Sequence, residues 1–537
     1  MTTQPPAALL HELLDEAAVR WPDRPAVTGP DRTVTYLELA AASRRVARWL
    51  AGLGLRRGHR LLVGAQVSVT VPVLVYAASR LGVPFSLLHE QVRGEQLEHV
   101  LGDSEPALLV SDFEPNRTTA AQRGVAAEDL AAVTAHAFDT DDGTGPLPAG
   151  PEPTRPVSAG PVSAGPVSAG PVSAGPLPAG PLAVDPVCLI YTSGTTSLPK
   201  AVVSTHQQML FAARAIQQVL GYRPDDVVYS PLPLSFDYGL YQLFLGACSG
   251  AHVWLGRPAE VGPPLLTNLL RSRATVLPAV PAVADTLARL LRRAGDRGLS
   301  LRMLTNTGAA MPPDILATLR AHVPGLAVHL MFGLTECKRA TIMPADGDLT
   351  RPGSSGPALP GTEVYVIDAR GGRLPAGEVG EIVVRGPNVM SGYWRRPELD
   401  AQRYPKAEGL FPELRTGDYG RLDEDGYLYV EGRRDDVYKE NGFRVSAIEV
   451  EAAARRLPAV SSAAVLAPDG SSPTRLFVTG TDGLSAADVL QGMRQVIEEY
   501  KIPRVCLVLP ELPLTGNGKV DRKALAALAN HGERVRG

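Results

Sequence analysis

The stretch Pro186–Val203 constrains the fold most, because two apolar, β-branched runs (Pro186–Tyr191 and Ala201–Val203) enclose a loop dense in hydroxyls. The runs have strand character. Between them Thr192, Ser193, Thr195, Thr196 and Ser197 surround Gly194, with Lys200 behind. A glycine lets backbone approach an anion and a lysine adds a compact charge, so the segment reads as a phosphate cradle between strands. The P-loop of nucleotide hydrolases is excluded. That motif has glycine directly before its lysine and Ser or Thr directly after it, whereas Pro199 precedes Lys200 and Ala201 follows. An ordinary loop of Ser, Thr and Gly is the alternative on this segment alone.

Periodicity extends the α/β reading in both directions. Thr35–Leu39 leads into an amphipathic helix through Leu50, and Arg60–Val67 reads as a strand. Leu61–Ser79 carries no charge, but Gln66, Ser68, Thr70 and Pro72 interrupt it and Arg80 follows, which predicts a buried strand and a core helix in place of a membrane span. Residues 146–180 repeat five-residue units, PLPAG and PVSAG. Proline at every fifth position precludes helix and the side chains offer no apolar face, so a disordered insert is expected at about 140–185. The α/β pattern resumes at Pro186 and is expected to run to about Glu431. Gly432–Asp436 then marks a boundary, after which Ser446-Ala-Ile-Glu449 reads as a capping box opening a helix to Leu457, with strands near Ala463 and Cys506. The expected fold is α/β: a large domain of α/β subdomains over 1–432 and a small, mobile α+β domain over 433–537.

A chain of 537 residues exceeds one compact core, and its 45% apolar content can fill two or more. A net charge of −3 without a basic stripe argues against nucleic acid or an anionic membrane as partner. Cys188, Cys248, Cys337 and Cys506 lie far apart with no metal or redox spacing, as in the reduced thiols of a cytoplasmic protein. Only seven of the 53 basic residues are lysine, so a lysine inside a motif stands out.

Tyr191–Val203 resembles the phosphate loop of the adenylate-forming superfamily, which includes acyl- and aryl-CoA ligases, luciferases and the adenylation domains of nonribosomal peptide synthetases. The resemblance recurs in order over roughly residues 25–525 outside the insert, although Ser197 and Ala201 stand where the family usually has glycine. Phe332-Gly333-Leu-Thr335-Glu336 resembles the family's aromatic-Gly-x-Thr-Glu run, which implies that Phe332 stacks on adenine and that Glu336 binds Mg2+; the family usually has Tyr at the first position. Thr307-Gly308-Ala309-Ala310 is similar to the segment lining the adenine and substrate pocket. Arg415-Thr-Gly-Asp418 resembles the stretch whose aspartate grips both ribose hydroxyls, as a carboxylate can. By the same resemblance Arg433 reaches ribose or phosphate, Asp435 is the interdomain hinge, Met331 lines the acyl pocket, and Gly442 lets a pantetheine arm pass. Pro513–Arg522 carries Lys519 between glycine-rich neighbours, and the resemblance makes Lys519 the catalytic lysine. Taken singly, the shorter matches also suit plain turns or a solvated charge run.

Ser235-Phe-Asp237-Tyr238-Gly-Leu-Tyr241 falls where amino-acid-activating relatives place an aspartate against the substrate's amino group; a structural aspartate capping the next helix is the alternative. Lys338 and Arg339 follow Glu336 at positions that approach the acyl pocket in the family. Such cations suit a second carboxylate or polar head, as in stand-alone β-amino-acid-activating enzymes, or else an exterior salt bridge.

The resemblance implies ATP-dependent activation of an amino-bearing carboxylic acid to an acyl-AMP with release of pyrophosphate, then transfer to a pantetheine thiol. ATP and Mg2+ are the implied cofactors. No carrier domain follows the Lys519 motif, so the implied acceptor is CoA or the phosphopantetheine of a separate carrier protein. The alternatives are an aryl- or fatty acyl-CoA ligase in which Asp237 is structural and, from another class, a nucleotide-binding protein without ligase activity.

Overall fold

The structure is a computed structural model that describes residues 6–90, 92–138, 180–192, 199–295, 298–406, 412–433, 437–440, 443–468, 473–497, 499–515 and 519–534. The repeat up to residue 179, the loop residues Ser193, Gly194, Thr195, Thr196 and Ser197, and Asp435 and Gly442 lie outside these residues.

Two sheets of mainly parallel strands organise the large domain. One runs in the order Gly392–Tyr393, Lys200–Thr205, Pro186–Thr192, Phe85–Leu87, Leu61–Gly64, Leu108–Ser111, Ala126–Asp129. The other runs Thr341–Ile342, Ala327–Phe332, Met303–Asn306, Val276–Ala279, Val227–Ser230, His252–Leu255, Pro25–Thr28, Thr33–Thr35. Their inner strands are apolar on both faces, as parallel strands covered by helices must be. One continuous core joins residues of both sheets with the helices Leu10–Arg20, Tyr36–Gly52, Thr70–Leu81, His206–Leu220 and Asp237–Ser249.

The expected helix through Leu50 is Tyr36–Gly52. Thr35 opens it by accepting from the Glu38 N–H, while the Glu38 carboxylate returns to the Thr35 N–H. The charge-free segment after Arg60 is the strand Leu61–Gly64 and the helix Thr70–Leu81, which is buried on every side. The strands around the hydroxyl loop, Pro186–Thr192 and Lys200–Thr205, pair antiparallel with Thr192 opposite Lys200.

The expectation of α/β alternation to Glu431 needs correction. Beyond Thr341–Ile342 the chain forms an antiparallel sheet of Glu363–Ile367, Gly380–Arg385, Glu413–Leu422 and Leu428–Arg433, with one α-helix, Pro397–Arg403, among the described residues. Short connections such as Asp423–Tyr427 reverse the chain in a few residues, which permits antiparallel neighbours but not a helical crossover.

The small domain has its own core, built from Val445, Val450, Ala453, Val465, Leu476, Val478, Val489 and Met493. The expected helix is Ala447–Arg455, ending two residues before Leu457. The strands near Ala463 and Cys506 are Val460–Leu466 and Val505–Val508, each paired with Arg475–Gly480.

Candidate active site

The site gathers at the end of the strand Ala327–Phe332, where the chain doubles back through Gly333–Arg339. A Cβ on Gly333 would stand 2.1 Å from the Lys338 carbonyl, so only glycine allows this close return. Asn388 fastens the far side by donating to the carbonyls of Cys337 and Arg339, both at 3.0 Å. Lys338 is held at φ 62°, a left-handed conformation that favours glycine, and its side chain is wholly buried.

The Lys338 ammonium donates to Ser204 Oγ and to the Thr335 carbonyl, both at 3.2 Å, and lies 5.7 Å from the centre of the Tyr241 ring. Burial lowers its pKa, and attraction to Asp237 opposes the shift. Arg339 beside it donates to Asp237 Oδ2 at 3.0 Å, and its guanidinium stands 4.7 Å from the Tyr238 ring. Both partners are 4% exposed. The exterior salt bridge considered for Lys338 and Arg339 is therefore excluded.

Asp237 is the first residue of the helix Asp237–Ser249. Gly239 seats this helix against the Pro233 carbonyl, which a Cβ would approach to 2.3 Å. Tyr238 is tied to the Thr305 carbonyl and hydroxyl at 2.7 Å, whereas the buried Tyr241 hydroxyl has no hydrogen-bond partner among the described residues. Met331 is buried on the adjoining strand. Asp237, Tyr238, Tyr241, Lys338 and Arg339 thus lie together in the interior.

The residues expected to bind the nucleotide come from several elements. The turn Thr307–Ala310 follows Met303–Asn306; Gly308 has φ +94°, Ala309 and Ala310 are exposed, and the buried Thr307 hydroxyl has no partner among the described residues. Lys519 reaches this turn from the small domain, its Cε 3.8 Å from where a Gly308 Cβ would stand. Phe332 is half-buried, and Glu336, 7% exposed, accepts the Tyr393 hydroxyl at 2.6 Å. Lys200 places its ammonium 3.9 Å from the Tyr393 ring centre. Asp418 stands directly across the ladder from Arg433, whose backbone is in the strand Leu428–Arg433.

Ser204, Asn388, Tyr393 and Arg403 belong to this neighbourhood without having been singled out in the sequence. Ser204 sits in an apolar strand, which leaves a buried hydroxyl as its only signal. Asn388 lies on a loop, Tyr393 on the short edge strand Gly392–Tyr393 and Arg403 on a short helix, all remote in sequence from Glu336, so no spacing announces them.

Mg2+ is held by one or two carboxylates together with nucleotide phosphates, and does not need an all-protein cage. Glu336, which meets Tyr393 as Lys200 does, fits that requirement, with Thr335 adjoining it in sequence. Among the described residues no cluster of three or more His, Cys, Asp or Glu forms a self-sufficient metal centre.

Comparison with known proteins agrees with this geometry. Residues 14–394 match the family described as AMP-binding enzyme, and residues 449–519 match the AMP-binding enzyme C-terminal domain. The chain belongs to the AMP-binding enzyme family. It is an AMP-forming acid–thiol ligase, which converts a carboxylic acid to an acyl-AMP with ATP and passes the acyl group to a thiol. The chain is 31% identical over 527 residues to an L-proline--[L-prolyl-carrier protein] ligase of Pseudomonas fluorescens, covering 96% of this chain and 99% of that one. The crystal structure of VinN superposes with a TM-score of 0.67 at 36% identity, over 79% of this chain and 98% of that one. O-succinylbenzoate coenzyme A synthetase (MenE) from Bacillus subtilis, in complex with ATP and magnesium ion, superposes with a TM-score of 0.77 at 27% identity, over 96% and 99%.

Proposed function

We propose that the acid is an amino dicarboxylic acid and that the acceptor is the phosphopantetheine thiol of a separate carrier protein. One observation carries the choice of acid: the buried Asp237–Arg339 pair lies beside a buried Lys338 ammonium whose hydrogen-bond partners among the described residues are neutral. A desolvated ammonium that must share the Asp237 charge with a guanidinium is costly, and so is a guanidinium whose carboxylate is taken by another cation. A substrate ammonium docking on Asp237 would displace Arg339. A second substrate carboxylate then meets Arg339 and Lys338 together, so that each of the three cations faces a carboxylate, with Arg339 and Lys338 sharing one. A solved structure of VinN with L-aspartate, 35% identical to this chain over 79% of it, supports the same class of ligand.

In this reading the reacting carboxylate points toward Gly308 and Lys519. The Lys519 ammonium draws carboxylate and α-phosphate together and stabilises the charge that develops between them. Lys200 holds the triphosphate, and Glu336 would hold Mg2+, which supplies further neutralisation of the phosphate oxygens when bound. Asp418 grips the ribose, joined by Arg433, and Phe332 covers the adenine. The small domain then turns about Asp435 and presents Gly442 to the pantetheine arm. The carrier-protein acceptor is supported by the matched carrier-protein ligase of Pseudomonas fluorescens. A cytoplasmic setting is supported by four unpaired cysteines and, among the described residues, by the lack of any helix long and apolar enough to cross a membrane.

A pyrophosphate-exchange screen tests the acid. Amino acids with a second carboxylate, in α- and β-amino forms, should exceed their monocarboxylic and deaminated analogues by at least tenfold. The pairing of Asp237 with Arg339 also suits a second reading, in which both are structural and an aryl or fatty acid is activated. Preference for an uncharged acyl tail in the same screen would select it.

A further inference from the structure

Tyr393 joins parts of the site that lie far apart in the chain. Its hydroxyl donates to Glu336 Oε1 at 2.6 Å, and its ring carries the Lys200 ammonium 3.9 Å from the centre. Its backbone N–H donates to Asp400 Oδ1 at 2.7 Å, and a Cβ on the preceding Gly392 would stand 2.5 Å from the other oxygen of that carboxylate. The residue is therefore clamped at the backbone, and it is 3% exposed. Its ring meets Tyr404 edge-on at 5.6 Å.

Behind the hydroxyl stands Arg403, the last residue of the helix Pro397–Arg403. Its guanidinium lies against the Tyr393 hydroxyl and within electrostatic reach of Glu336. It also packs beneath the Arg415–Asp418 turn, where a Cβ on Gly417 would come to 2.7 Å from Nη1. Glu336, Lys200 and the ribose-facing turn thus rest on two side chains.

A carboxylate has two oxygens that rotate together. A donor fixed on Oε1 stops that rotation and leaves Oε2 in one direction for a cation. Groups that orient a ligating carboxylate in this way are worth about 10- to 100-fold in metal affinity. A lysine resting on an aromatic face is likewise restrained by the attraction between ammonium and ring.

We infer that Tyr393, backed by Arg403, is a positioning residue for the metal-bound nucleotide, holding Glu336 toward Mg2+ and Lys200 toward the same phosphates. The inference rests on the ATP- and Mg2+-dependent reaction of the family and is independent of which acid is activated.

The test is calorimetric titration of the full chain with ATP over a range of Mg2+ concentrations in the absence of any acid, alongside titration with AMP in the absence of metal. For Tyr393→Phe, which keeps the ring, the Mg2+ concentration giving half the maximal enhancement of ATP binding should rise about 10-fold. AMP affinity should stay within twofold. Arg403→Gln should move the metal dependence in the same direction, and Arg403→Lys should restore most of it. A folded Tyr393→Phe protein with unchanged metal dependence overturns the inference, as does a loss of AMP affinity equal to the loss of ATP affinity. Should Tyr393→Phe fail to fold, Arg403→Gln against Arg403→Lys decides by the same two readouts.

Discussion

Lys338→Met removes a buried charge while keeping the length and most of the volume of the side chain. Lys338 is wholly buried, with Ser204 Oγ and the Thr335 carbonyl as its hydrogen-bond partners. Exchanging a buried ion for an apolar residue of similar volume is neutral or stabilising by about 1–4 kcal/mol. Against that gain, the Thr335 carbonyl loses a donor, at a cost of about 1–2 kcal/mol. Ser204 keeps its contact with Met390 Sδ at 2.9 Å. The empty protein should therefore lie between about 2 kcal/mol less and about 3 kcal/mol more stable than the wild type. Activation of an amino dicarboxylic acid should instead fall by about 2–5 kcal/mol of transition-state binding, roughly 30- to 4,000-fold in kcat/KM, because the second carboxylate loses a buried partner. Thermal unfolding and pyrophosphate exchange, run on mono- and dicarboxylic amino acids, read the two effects separately. A variant that melts well below the wild type, or loses activity equally on both kinds of acid, would refute the reasoning and make Lys338 a structural residue.

Lys519→Ala should slow acyl-AMP formation by at least 100-fold while leaving transfer from a supplied acyl-AMP to the thiol within severalfold, since the charge that is removed acts in the first half-reaction; single-turnover assays of each half-reaction check this. Asp237→Asn should weaken activation of amino-bearing acids by about 2–5 kcal/mol and should also destabilise the fold, because it strands Arg339 at 4% exposure without its carboxylate. Equal activity on aminated and deaminated acids in the wild type would remove the basis for this expectation. Burial depresses His11 to about 3, and His206 and His252 each to about 4, from an ordinary 6.5. The unfolded chain takes up these protons first, so stability is fully present above about pH 6.5 and is lost as pH falls toward 4, by at most about 3 kcal/mol per histidine. Urea unfolding at about pH 7.5 and pH 5 should show the drop, and His252→Gln should flatten the slope; stability that rises toward pH 5 contradicts the assignment.

Local pattern was enough for much of this protein. The strands on either side of the hydroxyl loop, the capped helix after Thr35 and the buried helix after Ser68 each follow from side-chain period and cap chemistry, which act over a few residues. Motif order also led to the expectation that Gly308, Glu336, Asp418 and Lys519 serve one site, and the structure sets Lys519 against Gly308. The antiparallel sheet after Ile342 was misread as more α/β material, since strand pairing is a contact between segments far apart in the chain and apolar runs look alike in either direction. The charge balance of the acid pocket was equally out of reach. Asp237 and Arg339 stand 102 residues apart, and only the packing of the helix Asp237–Ser249 against the returning loop at Gly333 brings them to 3.0 Å. Whether Lys338 faced water or the interior was decided by a backbone turn at φ 62° and by Asn388 fastening the loop, both products of tertiary contact. The sequence by itself determined which chemical groups this protein has to work with. The tertiary structure decided which of them meet in the dark of the core, because desolvation and pairing belong to the folded surroundings of a residue and not to its neighbours in the chain.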